Sequence, residues 1–175
     1  MNAAAGDLTH PDVAARWLPA YVGVGSNLDE PARQVERAFA ALAKLPSTRL
    51  VLRSPSYRTP PFGEVVQPPF VNAAAGLLTR LAPEEFLDAL RAVEHELGRS
   101  PPRERWGPRV IDLDLLVFGR ETRATESLKL PHPGIAERDF VLYPLADIAP
   151  DLEVPGLGRV ASLKERVANR GVGKL

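Results

Sequence analysis

The chain predicts an α+β fold, a ferredoxin-like sandwich with a mostly antiparallel sheet and packed helices, on three observations. Strand-like and helix-like apolar periodicities follow one another as strand, helix, strand, strand, helix, strand, the β-α-β-β-α-β supersecondary order. A length of 175 residues matches one domain. With 45% hydrophobic and 25% charged residues, the chain can bury an ordinary globular core.

Each element has its own signal. Residues 1–19 read as an N-terminal extension with a short helix over residues 12–18, and Trp17 is expected to pack on the body of the domain. Residues 20–175 then form a single domain. Ala20 to Gly25 is a buried strand, and the turn after it leads to Pro31, placed where a helix tolerates proline, at its first position. Val35, Ala38, Phe39, Leu42 and Leu45 give that helix one apolar stripe. Residues 49–57 read as one strand, ended by the stiff turn Thr59-Pro60-Pro61-Phe62-Gly63, and residues 70–78 as the next. Pro83 opens the second helix, with Phe86, Leu87, Leu90, Val93 and Leu97 inward and Gly98 as its stop. Residues 110–118 form the strongest strand. Beyond it come a short strand at 128–130, a Pro131-His132-Pro133-Gly134 corner, an apolar segment over 140–148 and a closing helix over 161–169.

Composition narrows the function. Lys+Arg and Asp+Glu both number 22, so the excess cation of a dedicated nucleic-acid binder is missing. The absence of cysteine removes thiolate metal sites, disulfides and cysteine nucleophiles. No signal-peptide pattern or membrane-spanning run stands in the sequence, and Asp7, His10 and Asp12 interrupt its start. The expected setting is the cytoplasm, and the expected partners are small molecules bound by a monomer, with no nucleic acid and no membrane.

The chemistry centres on residues 105–114. Asp112 and Asp114 lie two apart in a strand, so both carboxylates project from one face while Ile111, Leu113 and Leu115 face the core. Like charges held this close raise one pKa unless a cation intervenes, and Mg²⁺ prefers one or two such carboxylates plus substrate phosphates and water. An isolated Asp-X-Asp is more often a solvated strand face. Here Arg99, Arg103, Arg105 and Arg109 stand just upstream, with Trp106 in the middle of a proline- and glycine-containing loop. Guanidinium forks fit phosphate oxygens, and metal-binding acids beside arginines form the minimum set for phosphoryl transfer.

Other groups are individually ambiguous. Gly23-Val24-Gly25-Ser26-Asn27 is not a dinucleotide fingerprint, because Leu28 replaces its third glycine, nor a P-loop; a tight turn and a substrate-lining role for Gly25 weigh evenly. His132, held between prolines, suits a phosphate contact or a structural hydrogen bond. Glu94 on the second helix could support a metal or an arginine. Phe70, Asn72 and Phe140 could sandwich and read a flat heterocycle, though on composition alone two core phenylalanines and a turn asparagine are the better reading.

Together these segments resemble the 6-hydroxymethyl-7,8-dihydropterin pyrophosphokinases of folate biosynthesis. The resemblance rests on Val24-Gly25-Ser26-Asn27-Leu28, Tyr57-Arg58-Thr59-Pro60-Pro61, Asn72-Ala73-Ala74, Glu94 with Gly98-Arg99, Arg105-Trp106-Gly107-Pro108-Arg109, Ile111-Asp112-Leu113-Asp114, Leu130-Pro131-His132-Pro133, and Arg138 with Phe140. It spans about residues 20–152. It implies transfer of the pyrophosphoryl group of ATP to the pterin hydroxymethyl oxygen, with release of AMP. It further implies two Mg²⁺ ions on Asp112 and Asp114, with ATP contacts from Arg99, Arg109, His132 and Trp106 and Glu94 as a supporting acid. Arg99 and Arg109 join the two aspartates as the catalytic set. The pterin is implied to stack between Phe70 and Phe140, read by Asn72 and the backbone near Thr59 and Phe62, with Gly25 lining its site. Phe70 stands where the family often has tyrosine, and Pro101 where it can have an arginine. The competing expectation is a non-catalytic ferredoxin-like module that binds nucleotide or RNA.

Overall fold

A computed structural model describes residues 16–61, 66–100 and 107–175. Along the chain run β1 (Leu18–Ser26), α1 (Pro31–Leu42), β2 (Thr48–Arg53), β3 (Tyr57–Thr59), β4 (Phe70–Thr79), α2 (Pro83–Glu96) and β5 (Asp112–Phe118). There follow β6 (Arg123–Ala124), β7 (Lys129–Leu130), α3 (Asp139–Ile148), β8 (Glu153–Val154), β9 (Gly158–Arg159), α4 (Val160–Arg166) and β10 (Gly173–Lys174). In the main sheet β4 and β1 are central, β5 lies outside β1, and β2 and β3 share the other side of β4; all pairings are antiparallel. This is the ferredoxin-like order that the element sequence predicts.

Two helical layers cover the sheet. On one face Val35, Ala38, Phe39 and Leu42 of α1 and Phe86, Leu90 and Val93 of α2 pack on Val22, Val24, Leu77, Leu113 and Leu115. Phe86 meets Phe118 with ring centroids 6.0 Å apart, a tilted contact that adds to the burial of both rings. On the other face Val141, Leu142 and Leu145 of α3 and Leu163 of α4 pack on Ala74, Leu116 and Val117. A β-bulge where β5 meets β1 lets Leu116 and Val117 both serve this second layer, since Tyr21 opposes Val117 while Val22 opposes Leu115.

Several expectations change. The strand expected over 49–57 is two, because Pro55 has no N–H to give the ladder; Ser54 fills the break by exchanging backbone and side-chain hydrogen bonds with Ala74. The helix expected over 12–18 lies mostly outside the described residues, and Leu18 already belongs to β1, so the sheet reaches into the segment read as an extension. Trp17 does pack on the domain, 4.7 Å from the guanidinium carbons of both Arg49 and Arg80. The apolar segment 140–148 is α3, and the closing helix is shorter than expected because the chain turns back to pair β10 with β3.

Candidate active site

The α3 layer leaves one end of its sheet face open, and the site lies there. Gly25 of β1 stands opposite both Asn72 of β4 and Asp112 of β5, while Gly23 opposes Asp114. Directly paired residues share a face, so two glycines form a low floor between an amide on one side and two carboxylates on the other. A side chain at Gly25 would meet Asn72 Oδ1 at 2.7 Å from its Cβ, so glycine is required there for close packing. The cavity above this floor is walled by Thr59, Pro60 and Phe70 on one side and by Arg138, Phe140 and Val141 of the α3 region on the other. Thus Gly25, Thr59, Phe70, Asn72, Arg109, Asp112, Asp114 and Phe140, all singled out in the sequence, line one cavity. Phe62 and Trp106 fall outside the described residues.

The side of the cavity around Asn72 is held by strands. Asn72 donates from Nδ2 to Thr59 Oγ1 at 2.7 Å, and both side chains are buried. This bond fixes the amide's plane, and β3–β4 pairing fixes its backbone. Phe70 and Phe140 are half-buried and line the cavity, and the Arg138 guanidinium carbon stands 5.8 Å from the Phe140 ring centroid.

The charged side is a chain of ion pairs. Asp112 accepts from Arg99 Nη1 on one oxygen at 2.7 Å and from Arg109 Nη1 on the other at 2.8 Å. Arg99 also pairs with Glu94, which is 6% exposed and accepts the Leu113 N–H at 2.7 Å. Glu94 therefore sits behind Arg99, with burial lifting its pKa against the pull of that N–H and of Arg99. Arg99 keeps a raised pKa because Asp112 and Glu94 outweigh its burial.

Asp114 is the carboxyl with charge to spare. Arg138 Nη1 is 3.6 Å and His132 Nε2 3.9 Å from its Oδ2. Burial first, and the charge of Asp112 second, push its pKa up to about 7 despite Arg138. The second of these causes is the repulsion expected of two acids on one strand face. Hard oxygen donors with uncompensated charge suit a divalent cation. Among the described residues no group of three or more acids or histidines can hold a metal alone. Mg²⁺ is commonly held by one or two carboxylates, with phosphate oxygens and water completing its shell.

His132 resolves its ambiguity in geometry. Its Nδ1 accepts the Gly134 N–H at 3.0 Å, and its backbone N–H donates to Leu116 O at 2.8 Å. Burial, then Arg138, lower its pKa to about 4, so at neutral pH the ring is uncharged and its proton sits on Nε2, facing Asp114.

Three residues went unassigned in the sequence. Arg138 lines the cavity and faces Asp114; its position two residues before Phe140 was the available signal. Gln67 also lines the cavity. Asn27, 2% exposed, donates from Nδ2 to Gln67 Oε1 and Pro68 O at 3.0 and 3.1 Å, while its Oδ1 accepts the Arg109 N–H at 2.8 Å. One amide thus ties the two loops that flank the site.

Comparison with known proteins agrees with this geometry. The family model for 7,8-dihydro-6-hydroxymethylpterin-pyrophosphokinase matches residues 21–150. A 2-amino-4-hydroxy-6-hydroxymethyldihydropteridine pyrophosphokinase from Pseudomonas aeruginosa is 53% identical over 135 residues, 77% of this chain and 83% of the relative. One of the same name from Haemophilus influenzae is 40% identical over 158 residues, 90% and 98% of the two chains. A Plasmodium falciparum HPPK-DHPS, crystallised with pterin and p-hydroxybenzoate, superposes with a TM-score of 0.69 at 14% identity, over 88% of this chain and 44% of that one, a likeness of fold. These matches disfavour a non-catalytic nucleotide- or RNA-binding module. The chain belongs to the 7,8-dihydro-6-hydroxymethylpterin-pyrophosphokinase family and is an ATP-dependent pyrophosphokinase.

Proposed function

We infer that this cleft carries out the family's reaction with the pterin on its strand-built side and the triphosphate of ATP on its charged side. The hydroxymethyl oxygen attacks the β-phosphorus, the bond from that phosphorus to the bridging oxygen of the α-phosphate breaks, and AMP leaves with that oxygen. The observation that carries the reading is the single cavity joining Asn72, Phe70 and Phe140 to Asp112, Asp114, Arg109 and Arg138.

Asp112 and Asp114 are the residues to hold Mg²⁺, two ions in this reading. Ions held by these two carboxylates would supply positive charge against the phosphates. Arg99 and Arg109 exchange their bonds with Asp112 for bonds with phosphate oxygens as the nucleotide binds. Arg138 and the Nε2–H of neutral His132 add donors beside Asp114. Glu94 keeps Arg99 in place. Trp106, outside the described residues, belongs to the loop read as closing over both substrates.

Phe70 and Phe140 clasp the pterin ring, and Asn72, oriented by Thr59, reads its edge. Gly25 admits the ring to the floor, and Phe62 is read as a further backbone contact. The hydroxyl proton passes to solvent water as the new oxygen–phosphorus bond forms, and it needs no strong base when the attacking oxygen is placed and the phosphate charge neutralised.

The reading also takes the chain as a cytoplasmic monomer; no helix among the described residues is long and apolar enough to cross a membrane. Size-exclusion chromatography with light scattering checks the monomer. Incubation with Mg-ATP and 6-hydroxymethyl-7,8-dihydropterin is expected to yield AMP in step with pterin consumption. ADP as the product sinks the reading.

A further inference from the structure

Residues 169–175 lie past residue 150, where the match to the family ends. They join the two walls of the heterocycle cavity. On the first wall, Gly173 and Lys174 pair with Arg58 and Tyr57, and the Leu175 N–H donates to Ser56 O at 2.9 Å. Gly171, at φ +101°, lies over Pro60 so closely that an added Cβ would come within 3.1 Å of its ring. On the second wall, the Arg170 N–H donates to Asp139 Oδ2 at 2.7 Å, while Asp139 Oδ1 accepts the N–H of Phe140. Asp139 is 3% exposed and opens α3, whose next residue is the stacking Phe140. A second tie reaches the far end of the same helix, where Asp147 accepts from Tyr57 Oη at 2.6 Å and pairs with Lys174 Nζ at 3.0 Å. The Asn169 side chain closes the segment by accepting the N–H groups of Gly171 and Val172.

We propose that residues 169–175 are a strap that sets the width of the pterin slot, by fixing Phe140 at the start of α3 relative to Thr59 and Pro60 at the end of β3. The segment positions the walls and does not touch the reacting atoms. The proposal rests on the pterin assignment above. Stacking depends steeply on ring separation, so a slot freed to widen binds a flat ring less well and leaves the phosphate side unaltered.

The test compares the full chain with a chain ending at Ala168, which keeps all of α4. The probe is 6-hydroxymethylpterin, titrated by its fluorescence with and without the Mg complex of a methylene-bridged ATP analogue. The strap predicts a pterin Kd raised about tenfold, the scale of one lost anchor, with the analogue's own Kd within about twofold of the full chain's. Asp139→Asn in the full chain leaves one acceptor oxygen for the two N–H groups of Arg170 and Phe140, so one link between the strap and the start of α3 is lost. It is expected to raise the pterin Kd in the same direction and to add nothing to the shortened chain, the mark of one shared interaction. If the shortened chain fails to fold, Asp139→Asn and Lys174→Met in the full chain decide the matter, with Lys174→Arg expected to restore tight pterin binding. Unchanged pterin affinity in these variants, or equal losses for pterin and nucleotide, overturns the strap alone. A full chain that binds no pterin overturns the pterin assignment as well.

Discussion

On the side proposed for the pterin, Asn72, Thr59 and Gly25 stand in paired strands and bond to each other, whereas on the side proposed for the phosphates Arg99, Arg109 and Arg138 reach in from outside the strands toward two carboxylates. The first region is shaped before any ligand arrives. The second holds its charges in internal pairs that a triphosphate must replace. A flat, neutral ring gains from a rigid slot, because little ordering is left to do on binding. A highly charged chain of phosphates needs donors that can change partner, and ion pairs among half-buried side chains provide them.

The largest expected effect breaks the charged region at its root. Asp112→Ala or Asp114→Ala should lower kcat by about a thousandfold or more, since the charge stabilisation that dominates phosphoryl transfer goes with the site. Circular dichroism should show a folded protein, because Leu113 and Leu115, not the acids, bury in the core. Chelation of Mg²⁺ should abolish turnover of the unaltered chain. Retained activity in either variant means the metal site is elsewhere.

A smaller effect separates the two regions. Arg109→Ala should cost about a hundredfold in kcat/KM for ATP, the scale of one lost phosphate donor, while pterin affinity changes little. Asn72→Ala should do the reverse, raising the pterin KM by about tenfold or more because a buried polar edge loses its partner. Steady-state kinetics on both substrates reads the split. Parallel losses on both substrates from each variant would show that the regions do not act separately.

The charged region was the more legible in sequence, because period-two geometry alone puts Asp112 and Asp114 on one face and the arginines are dense beside them. The slot proposed for the heterocycle was legible only through resemblance, since on composition two core phenylalanines and a turn asparagine are the better reading. The fold order, the stripes of α1 and α2 and the position of β4 followed from local periodicity. What escaped depends on distant partners. Asn27 meets Gln67 and Arg109 across 40 and 82 residues, and β10 closes on β3 from the last residues of the chain. Arg138 gains its role from a fold that sets it near Asp114, with no spacing rule to announce it.

A pH experiment probes the surplus charge of Asp114. Its pKa of about 7 lies above its ordinary 3.8, so the metal-free folded chain binds this proton more tightly than the unfolded chain does. Its contribution to stability is therefore full below pH ~4 and lost as pH rises to ~7. His132 runs oppositely, lowered from 6.5 to about 4, so its contribution is lost as pH falls through that window. The two are separated by Asp114→Asn. The thermal midpoint of the variant minus that of the unaltered chain should grow between pH 5 and pH 8 without metal, then stay level above pH 8. Saturating Mg²⁺ and ATP analogue should raise the unaltered chain's midpoint more at pH 8 than at pH 5, since occupancy demands the ionised acid. A difference that is flat with pH without metal would show that Asp114 is ionised throughout.

The smallest effect tests whether the two regions communicate through Asn27. The amide holds Gln67 and Pro68 at the slot and the Arg109 backbone at the charged side, and a second bond from its own N–H to Arg109 O survives any side-chain change. Asn27→Ala should leave each substrate's separate affinity within about threefold. It should also reduce by about fivefold the factor by which the nucleotide analogue tightens pterin binding, a modest coupling free energy. Asn27→Asp divides the function of the amide. It keeps an acceptor for the Arg109 N–H but turns a carboxylate oxygen toward the acceptors Gln67 Oε1 and Pro68 O, so the slot-side loop is released while Arg109 stays held. Its coupling loss should then match that of Asn27→Ala, with nucleotide affinity unchanged. Isothermal titration of each ligand with and without the other measures the factor, which by linkage must be equal in both directions. Full coupling in Asn27→Ala would place the connection between slot and phosphates in the sheet floor at Gly23 and Gly25, where strand pairing alone links Asn72 to Asp112.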